Sequence, residues 1–441
     1  MLQRTFALLI LLCVMLALTQ WEVLKTPGPL SSTLVLGYML LTSYSLAFLL
    51  KRFLLPQLTS YIIVGLILGP YVLSLVTKTT IDDLEFVNSL ALAFIAFCAG
   101  GELKFRKIRE QWKAIGSIIL FQTVIILSGA SVAVFFLLNF IDGFEGFGFG
   151  QRLVISIIFG VICVARSPSS TIAIISETKS KGEYTNIVLS VTVVCDVVVI
   201  MLFGIAVSIG QTVLTKNAPI DWLFFFILLF EVVVAFSLGF VLGKGIVYLI
   251  ETVKIEFPVV MIGLGFLVIK FSHLFTDYMH DIHNIALNLE PLLICMAAGF
   301  TVQNFSPHGR KFLNRMDSVS LPIYIIFFTV VGASVNLEVL KTGWLIGVAI
   351  VLIRFVLLHV ASVISGSLSK LPAIIYKHLS LGFITQAGVS LGLLTEIVRR
   401  FPTIGVPVQS LLIAAITINQ FFGPISLKVA LSKVGEIQQK T

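Results

Sequence analysis

The sequence predicts an all-α polytopic membrane protein of about 13–14 transmembrane helices, and three observations predict it. First, 58% of the residues are hydrophobic and 12% are charged, where a soluble domain carries about 25% charged residues. Second, apolar runs near the ~20 residues that a bilayer crossing needs recur along the chain. Third, the basic residues are sorted onto alternate loops, as the positive-inside rule requires.

The runs cover residues 5–24, 33–52, 57–76, 84–101, 114–140, 152–176, 185–209, 219–242, 257–275, 285–303, 318–337, 343–368, 378–398 and 407–430. The first follows Arg4 and has the outline of a signal peptide, but no small-residue cleavage site follows it. Residues 1–32 are therefore read as an extra N-terminal transmembrane helix. With the amino terminus inside, Lys25, Lys78, Arg152, Lys216, Lys341, Arg399 and Arg400 face the opposite side, and Arg166, Lys270 and Arg354 lie within runs. The other 20 of the 30 basic residues are then cytoplasmic, as is the short tail 431–441. The net charge of +8 thus belongs to loops facing anionic lipid, KFRKIREQWK among them, and not to a nucleic-acid surface. Trp21, Trp112, Trp222 and Trp344 sit at run ends, where an indole prefers the interface. All five cysteines lie within runs, which implies no disulfide framework.

An ionisable side chain at the bilayer centre costs about 2.5–3.5 kcal/mol or more, so each is a functional candidate. Arg166, Asp196 and Arg354 lie nearest the centres of their runs, and Asp196 is the only charge in its own. A structural ion pair is the plainer alternative for Asp196, and a charge-compensating strut for Arg354. The stretch ICVARSPSSTIAII places Pro168 inside a run. Proline removes a helix hydrogen bond and clashes with the preceding turn, and in lipid the freed groups need protein partners. Ser167, Ser169, Ser170 and Thr171 can supply them, so the run reads as two half-helices, with a plain kink as the alternative. A second interruption, LGFITQAGVSLGLL, carries Gly382, Gly388 and Gly392 with Thr385, Gln386 and Ser390. With 33–210 and 257–430 as two halves joined by a linker helix in 211–256, both breaks fall in the fifth helix of a half. Inverted-repeat transporters build midplane ion sites from such pairs of broken helices.

These residues resemble those of the cation:proton antiporter superfamily, in the branch of Kef-type and sodium/hydrogen antiporters. The likeness covers roughly residues 33–430. LLPQLTSYIIVGLILGP is similar to that branch's early signature, and FCAGGELKF to its Gly-Leu-Glu segment, with Gly101 where Leu is usual. ARSPSS resembles the first broken helix, and Cys195–Asp196 the ion-binding pair. FFTVVGASVNL and TQAGVSLGL complete the order. The resemblance implies a homodimer, a core domain moving against a dimerisation domain, and an inverted-repeat antiporter fold with two broken crossing helices. It implies Asp196 as the carrier of a cation or a proton, and Arg354 as the basic residue before the second break.

Two departures stand out. Cys195 replaces an oxygen- or nitrogen-bearing residue, and a thiol suits a hard cation poorly. Ligation would lean on Asp196, Ser167, Ser169 and backbone carbonyls. Arg166 replaces an uncharged Thr, which brings the central charges to +1. It is expected to pair with Asp196 in the empty site, or to point toward Glu177 or Glu102.

The expected activity is exchange of Na+ or K+ for H+ by alternating access in the cell (inner) membrane. Burial disfavours the aspartate's charge and a nearby arginine favours it, so protons and cations would compete for the same oxygens. Arginine keeps its proton, so one titrating carboxylate implies electroneutral exchange. The alternatives are a Kef-type cation channel or regulated leak, or an anion or organic-acid transporter because of Arg166. The sequence shows no cofactor loop, no catalytic constellation and no metal spacing. The cluster His273, Asp277, His280, Asp281 and His283 looks metal-like but is expected in a solvated extracytoplasmic loop between the ninth and tenth runs, with a metal site or pH sensor as the alternative.

Overall fold

A computed structural model describes residues 10, 13–14, 17, 29–50, 55–141, 144–214, 222–252, 257–283, 289–386 and 388–438. Those residues form helices and connecting turns, with no strand among them. Every run from residue 33 onward is found as a helix or as half-helices. The first run lies outside the described residues apart from isolated positions. Among the described residues nine helical stretches, with the interrupted Phe149–Thr178 counted as one, are long and apolar enough to cross a membrane, and three shorter apolar helices accompany them. The chain divides into two compact units. One comprises Met1–Glu102, Gly239–Leu274 and Pro291–Leu337, and the other Leu103–Leu238, Phe275–Glu290 and Glu338–Thr441.

The first unit contains α1 (Pro29–Leu50), α2 (Gln57–Leu68), the short α3 (Lys78–Asp83) and α4 (Glu85–Glu102). α2 stops eight residues earlier than its run because Pro70 cannot donate to the helix ladder. The second unit begins with α5 (Phe105–Glu110), an exposed turn of the basic loop, and α6 (Trp112–Leu137). Then come α7 (Phe149–Val164), α8 (Pro168–Thr178) and α9 (Glu183–Leu214). α10 (Trp222–Thr252) is the linker helix, and α11 (Phe257–His283), α12 (Pro291–Asn304) and α13 (Gly309–Ala333) follow. The chain ends through α14 (Leu337–Leu368), two single turns α15 (Ala373–Tyr376) and α16 (Leu379–Gly382), α17 (Gly388–Arg400) and α18 (Pro402–Lys433). α11 overturns one expectation: His273 to His283 lie on its last turns and not in a loop. The described residues hold no group of three or more metal-ligating side chains.

Burial is distributed as lipid solvation demands. On α6, Leu120, Val124, Val132 and Phe136 form an exposed stripe, while the amide of Gln122 is fully buried. A water-soluble helix has the reverse arrangement.

In the first unit, small residues let backbones touch. A Cβ on Gly65 would lie 2.0 Å from the Thr329 carbonyl, and one on Gly332 2.1 Å from that of Ile62, which fixes the crossing of α2 and α13. Gly100 against Met296 and Gly299 against Phe97 do the same for α4 and α12, at 1.8 and 2.1 Å. Lipid offers no hydrophobic drive for helix pairing, so such close approach supplies the packing energy. Gly101 follows from this. A Cβ there would lie 2.8 Å from the side-chain ends of Leu313 and Phe312, so a larger residue would require both to shift.

In the second unit the tail anchors the helix that carries Asp196. α18 ends in a Schellman turn: Gly435, at φ +74°, donates to Ser432 O, and Glu436 N donates to Leu431 O. The turn aims the Glu436 carboxylate at the start of α9. It accepts from Tyr184 N and Thr185 N, both at 2.8 Å, and from the Thr185 hydroxyl at 2.6 Å. Lys181 N donates to the Glu436 carbonyl at 3.1 Å. A carboxylate at a helix N-terminus satisfies orphan donors and complements the dipole.

Two outcomes test this packing. Gly332→Leu and Gly100→Leu each displace a backbone contact, so each costs at least ~1–3 kcal/mol. Detergent-purified protein should lose its monodisperse peak in size exclusion or melt well below wild type, and unchanged melting would refute the crossings. Glu436→Ala should lower thermal stability by about 1–2 kcal/mol. Melting of the variant beside wild type and Glu436→Gln reads the effect, with Gln intermediate.

Candidate functional site

The sixth run is broken, and its local chemistry shows why. α7 ends at Val164, Ala165 to Ser167 are non-helical, and α8 starts at Pro168. Ser167 sits at φ −109°, ψ 104°, in the extended region that a following proline favours. Pro168 then occupies the first helical position, where its missing N–H costs nothing. The Ser167 hydroxyl caps the helix by accepting from Ser170 N at 3.2 Å. Proline therefore opens a helix here and does not kink one. The second break includes Phe383 to Gln386, between α16 and α17, with Gly388 as the first residue of α17. Gly392, expected within the interruption, is inside α17. Gly423 of α18 backs this break: a Cβ there would lie 2.6 Å from the Thr385 side chain and 2.7 Å from its Cα.

The breaks are tied to each other. Ser167 N donates to Thr385 O at 3.0 Å. The Gln386 amide donates to Ile162 O at 2.8 Å and Ala165 O at 3.2 Å. Its own carbonyl accepts from Asn419 Nδ2 of α18 at 2.7 Å. Arg354 of α14 binds both at once. Nε donates to Cys163 O at 2.7 Å and Nη2 to Ala165 O at 3.0 Å. Nη1 donates to Ile384 O at 2.9 Å and Nη2 also to Phe383 O at 3.0 Å. The expected strut is thus a capping group: these hydrogen bonds go to backbone carbonyls and not to a carboxylate. A planar fork suits four acceptors set around one plane.

Asp196 and Cys195 lie on α9 and are buried. The Cys195 thiol donates to Val164 O at 3.8 Å, so it caps the end of α7 and is not presented as an ion ligand. That contact accords with the poor match between sulfur and a hard cation. Asp196 Oδ1 is buried with no hydrogen-bond partner among the described residues. Thr192, one helical turn earlier on the same face, likewise has a buried hydroxyl without a partner there. Ser169 and Ser170 hydroxyls lie 3.0 and 3.1 Å from that of Ser167, which leaves Ser167 occupied by the cap network.

Arg166 takes none of the expected partners. Its Nη2 donates to Gln122 Oε1 of α6, and its guanidinium stacks over Phe383, 4.2 Å from the ring centroid. Glu177 instead pairs with Lys428 at 3.4 Å. The net +1 read from the three central charges finds its compensation in this geometry. Arg354 faces carbonyl oxygens at helix ends, which carry partial negative charge, and leaves Asp196 for another cation.

A family model described as "Sodium/hydrogen exchanger, transmembrane" matches residues 37–433. The chain belongs to that family. A curated relative, "Probable Na(+)/H(+) antiporter 3" of Methanocaldococcus jannaschii, is 29% identical over 167 residues, which span 37% of this chain and 38% of the relative. Two solved structures of the sodium proton antiporter MjNhaP1 from the same organism are similar in fold. One has a TM-score of 0.73 at 17% identity, covering 94% of this chain and 100% of the other. The second, determined at pH 8, has a TM-score of 0.65 at 15% identity, covering 92% and 99%.

Around the two breaks the sequence reading missed Gln122, Thr192, Phe383 and Asn419. The signal available was a polar side chain deep in an apolar run, as with the charged residues, but amides and hydroxyls carry a smaller penalty and stand out less. Arg354→Lys keeps the charge and loses the fork. A point charge cannot cap four carbonyls, and each buried acceptor left unsatisfied costs about 1–3 kcal/mol. The variant should melt at markedly lower temperature and lose most ion-exchange activity; wild-type melting would refute the capping role.

Proposed function

We propose that this exchanger swaps a monovalent cation, Na+ or K+, for H+ at Asp196 by alternating access, with electroneutral stoichiometry. The observation that carries the reading is a buried carboxylate with an oxygen unpartnered among the described residues, on the helix whose Cys195 thiol donates to the end of α7 at the first break. A membrane protein that leaves one acid unsatisfied, while spending Arg354, Gln386 and Cys195 on carbonyls, reserves that acid for something that comes and goes. A bare carboxylate is costly to carry through a low-dielectric barrier, so the loaded forms are the ones that move. Cation and proton each neutralise it by one charge, which makes their exchange electroneutral. Thr192, and Ser169 beside the break, are the hydroxyls placed to complete an oxygen shell.

The two breaks, each in the fifth helix of residues 33–210 and 257–430, support reading those halves as inverted repeats. The basic-residue asymmetry supports a cytoplasmic carboxyl terminus in a cell membrane, and family resemblance supports a homodimer.

The test is proton efflux from liposomes holding purified protein and a pH-sensitive dye, with NaCl, KCl and choline chloride added in turn. Wild type should alkalinise the lumen with Na+ or K+ and not with choline, and should do so without current across a supported membrane. Asp196→Asn should abolish the response. Full activity in that variant would end the proposal, and a chloride-dependent signal would favour an anion carrier.

A further inference from the structure

Gln122 is buried on α6, and its amide orientation is set by a second partner. Nε2 donates to Ser362 Oγ at 2.9 Å, which turns Oε1 toward the Arg166 guanidinium. On Arg166 only Nη2 is used. Nε and Nη1 are buried with no hydrogen-bond partner among the described residues, although the side chain is only 1% exposed. Asp196, whose Oδ1 is likewise orphaned, follows Cys195, and the Cys195 thiol donates to Val164 O, two residues before Arg166. The other ionisable groups acting on the pair are Cys195 and Arg354 on the arginine, and Glu290 on the aspartate. Buried guanidinium donors without acceptors are costly, and a carboxylate is their strongest match. One amide and one aromatic face thus hold Arg166 in a position that leaves its main hydrogen-bonding capacity unspent.

We propose that Gln122 is a positioning residue of the transport cycle: it parks Arg166 away from Asp196 while the carboxylate carries its cation, and thereby sets the affinity of the site. Arg166 is a resident cation competing for the same oxygen. Firm parking favours the transported ion, and loose parking favours the internal pair. The inference rests on Asp196 being the carrier, so Asp196→Asn is run beside it. Exchange abolished there but unaffected at Gln122 would sink this inference alone.

The experiment measures the apparent KM for Na+ or K+, whichever the wild type exchanges, and the pH profile, in proteoliposomes of the full chain. Gln122→Leu removes a hydrogen bond to a charged group, so KM should rise about tenfold with maximal rate nearly unchanged. Protons meet the same competitor, and pairing favours the ionised carboxylate, so the alkaline limb of the profile should move to lower pH. Gln122→Glu should hold Arg166 more firmly, lower KM and move that limb to higher pH. In an Arg166→Thr background, Gln122→Leu should change neither. Wild-type KM and pH profile in a normally melting Gln122→Leu protein would overturn the proposal. So would an equal rise in KM without Arg166, since that marks Gln122 as a packing residue. Should Gln122→Leu fail to fold, Gln122→Glu and Ser362→Ala decide the matter. The latter frees the amide to turn and should raise KM only when Arg166 is present.

Discussion

The guanidinium of Arg354 donates to the carbonyls of Cys163, Ala165, Phe383 and Ile384 because helices broken inside hydrocarbon leave acceptors that no water reaches. The rest of the site depends on that constraint. An intact helix satisfies its own backbone; a broken one exposes carbonyls at one end and N–H groups at the other. The N–H end of α8 is served locally by Ser167. The carbonyl end of α7 draws on residues far along the chain: Arg354, Gln386 and Cys195. One side chain serving both breaks makes them a single structural object, so neither can relax without the other.

This settles the electrostatics of the centre. Three charged groups in an apolar interior look irreconcilable on paper, because two arginines exceed one aspartate. Arg354 is absorbed by peptide dipoles, whereas Arg166 meets one amide and one aromatic face and keeps Nε and Nη1 without partners among the described residues. Neither is spent on a carboxylate in a fixed salt bridge. An ion pair locked between Asp196 and Arg354 would give a structural strut and no transport site, since a buried pair with good geometry costs several kcal/mol to separate.

Sequence patterns made much of this legible, and particular residues show where they stop. Apolar run length located the helices because a bilayer sets one length scale. Pro168 located the first break because its geometry forbids a continuous ladder. The glycines of the second break gave its place less well. Gly388 begins α17, but Gly392 lies inside it and Gly382 closes a separate turn. Glycine marks close packing as readily as interruption, as Gly65 and Gly332 do elsewhere. Pairings were not legible. Arg166 was expected against an acid, yet it meets Gln122, 44 residues away. Charge complementarity predicts that a partner exists; which polar group lies within reach is decided by helix packing. Cys195 shows the same limit, since its place beside Asp196 suggested a ligand and its thiol faces a carbonyl.

The proposed cycle needs a rigid frame and an open carboxylate, and different atoms a few residues apart meet the two demands. Capping bonds between 2.7 and 3.2 Å close the carbonyls of the breaks. Asp196 Oδ1 and Thr192 Oγ1 are left open on the neighbouring helix. If the carboxylate were as well served as the carbonyls, an incoming ion would have to displace those bonds, and binding would lose the strength that makes exchange selective. If the carbonyls were as poorly served as the carboxylate, each buried acceptor would add its own desolvation penalty and the breaks would lose their stability. Asp196 thus keeps an unmet acceptor one turn from the open Thr192 hydroxyl, while the Arg354 guanidinium holds the two breaks together.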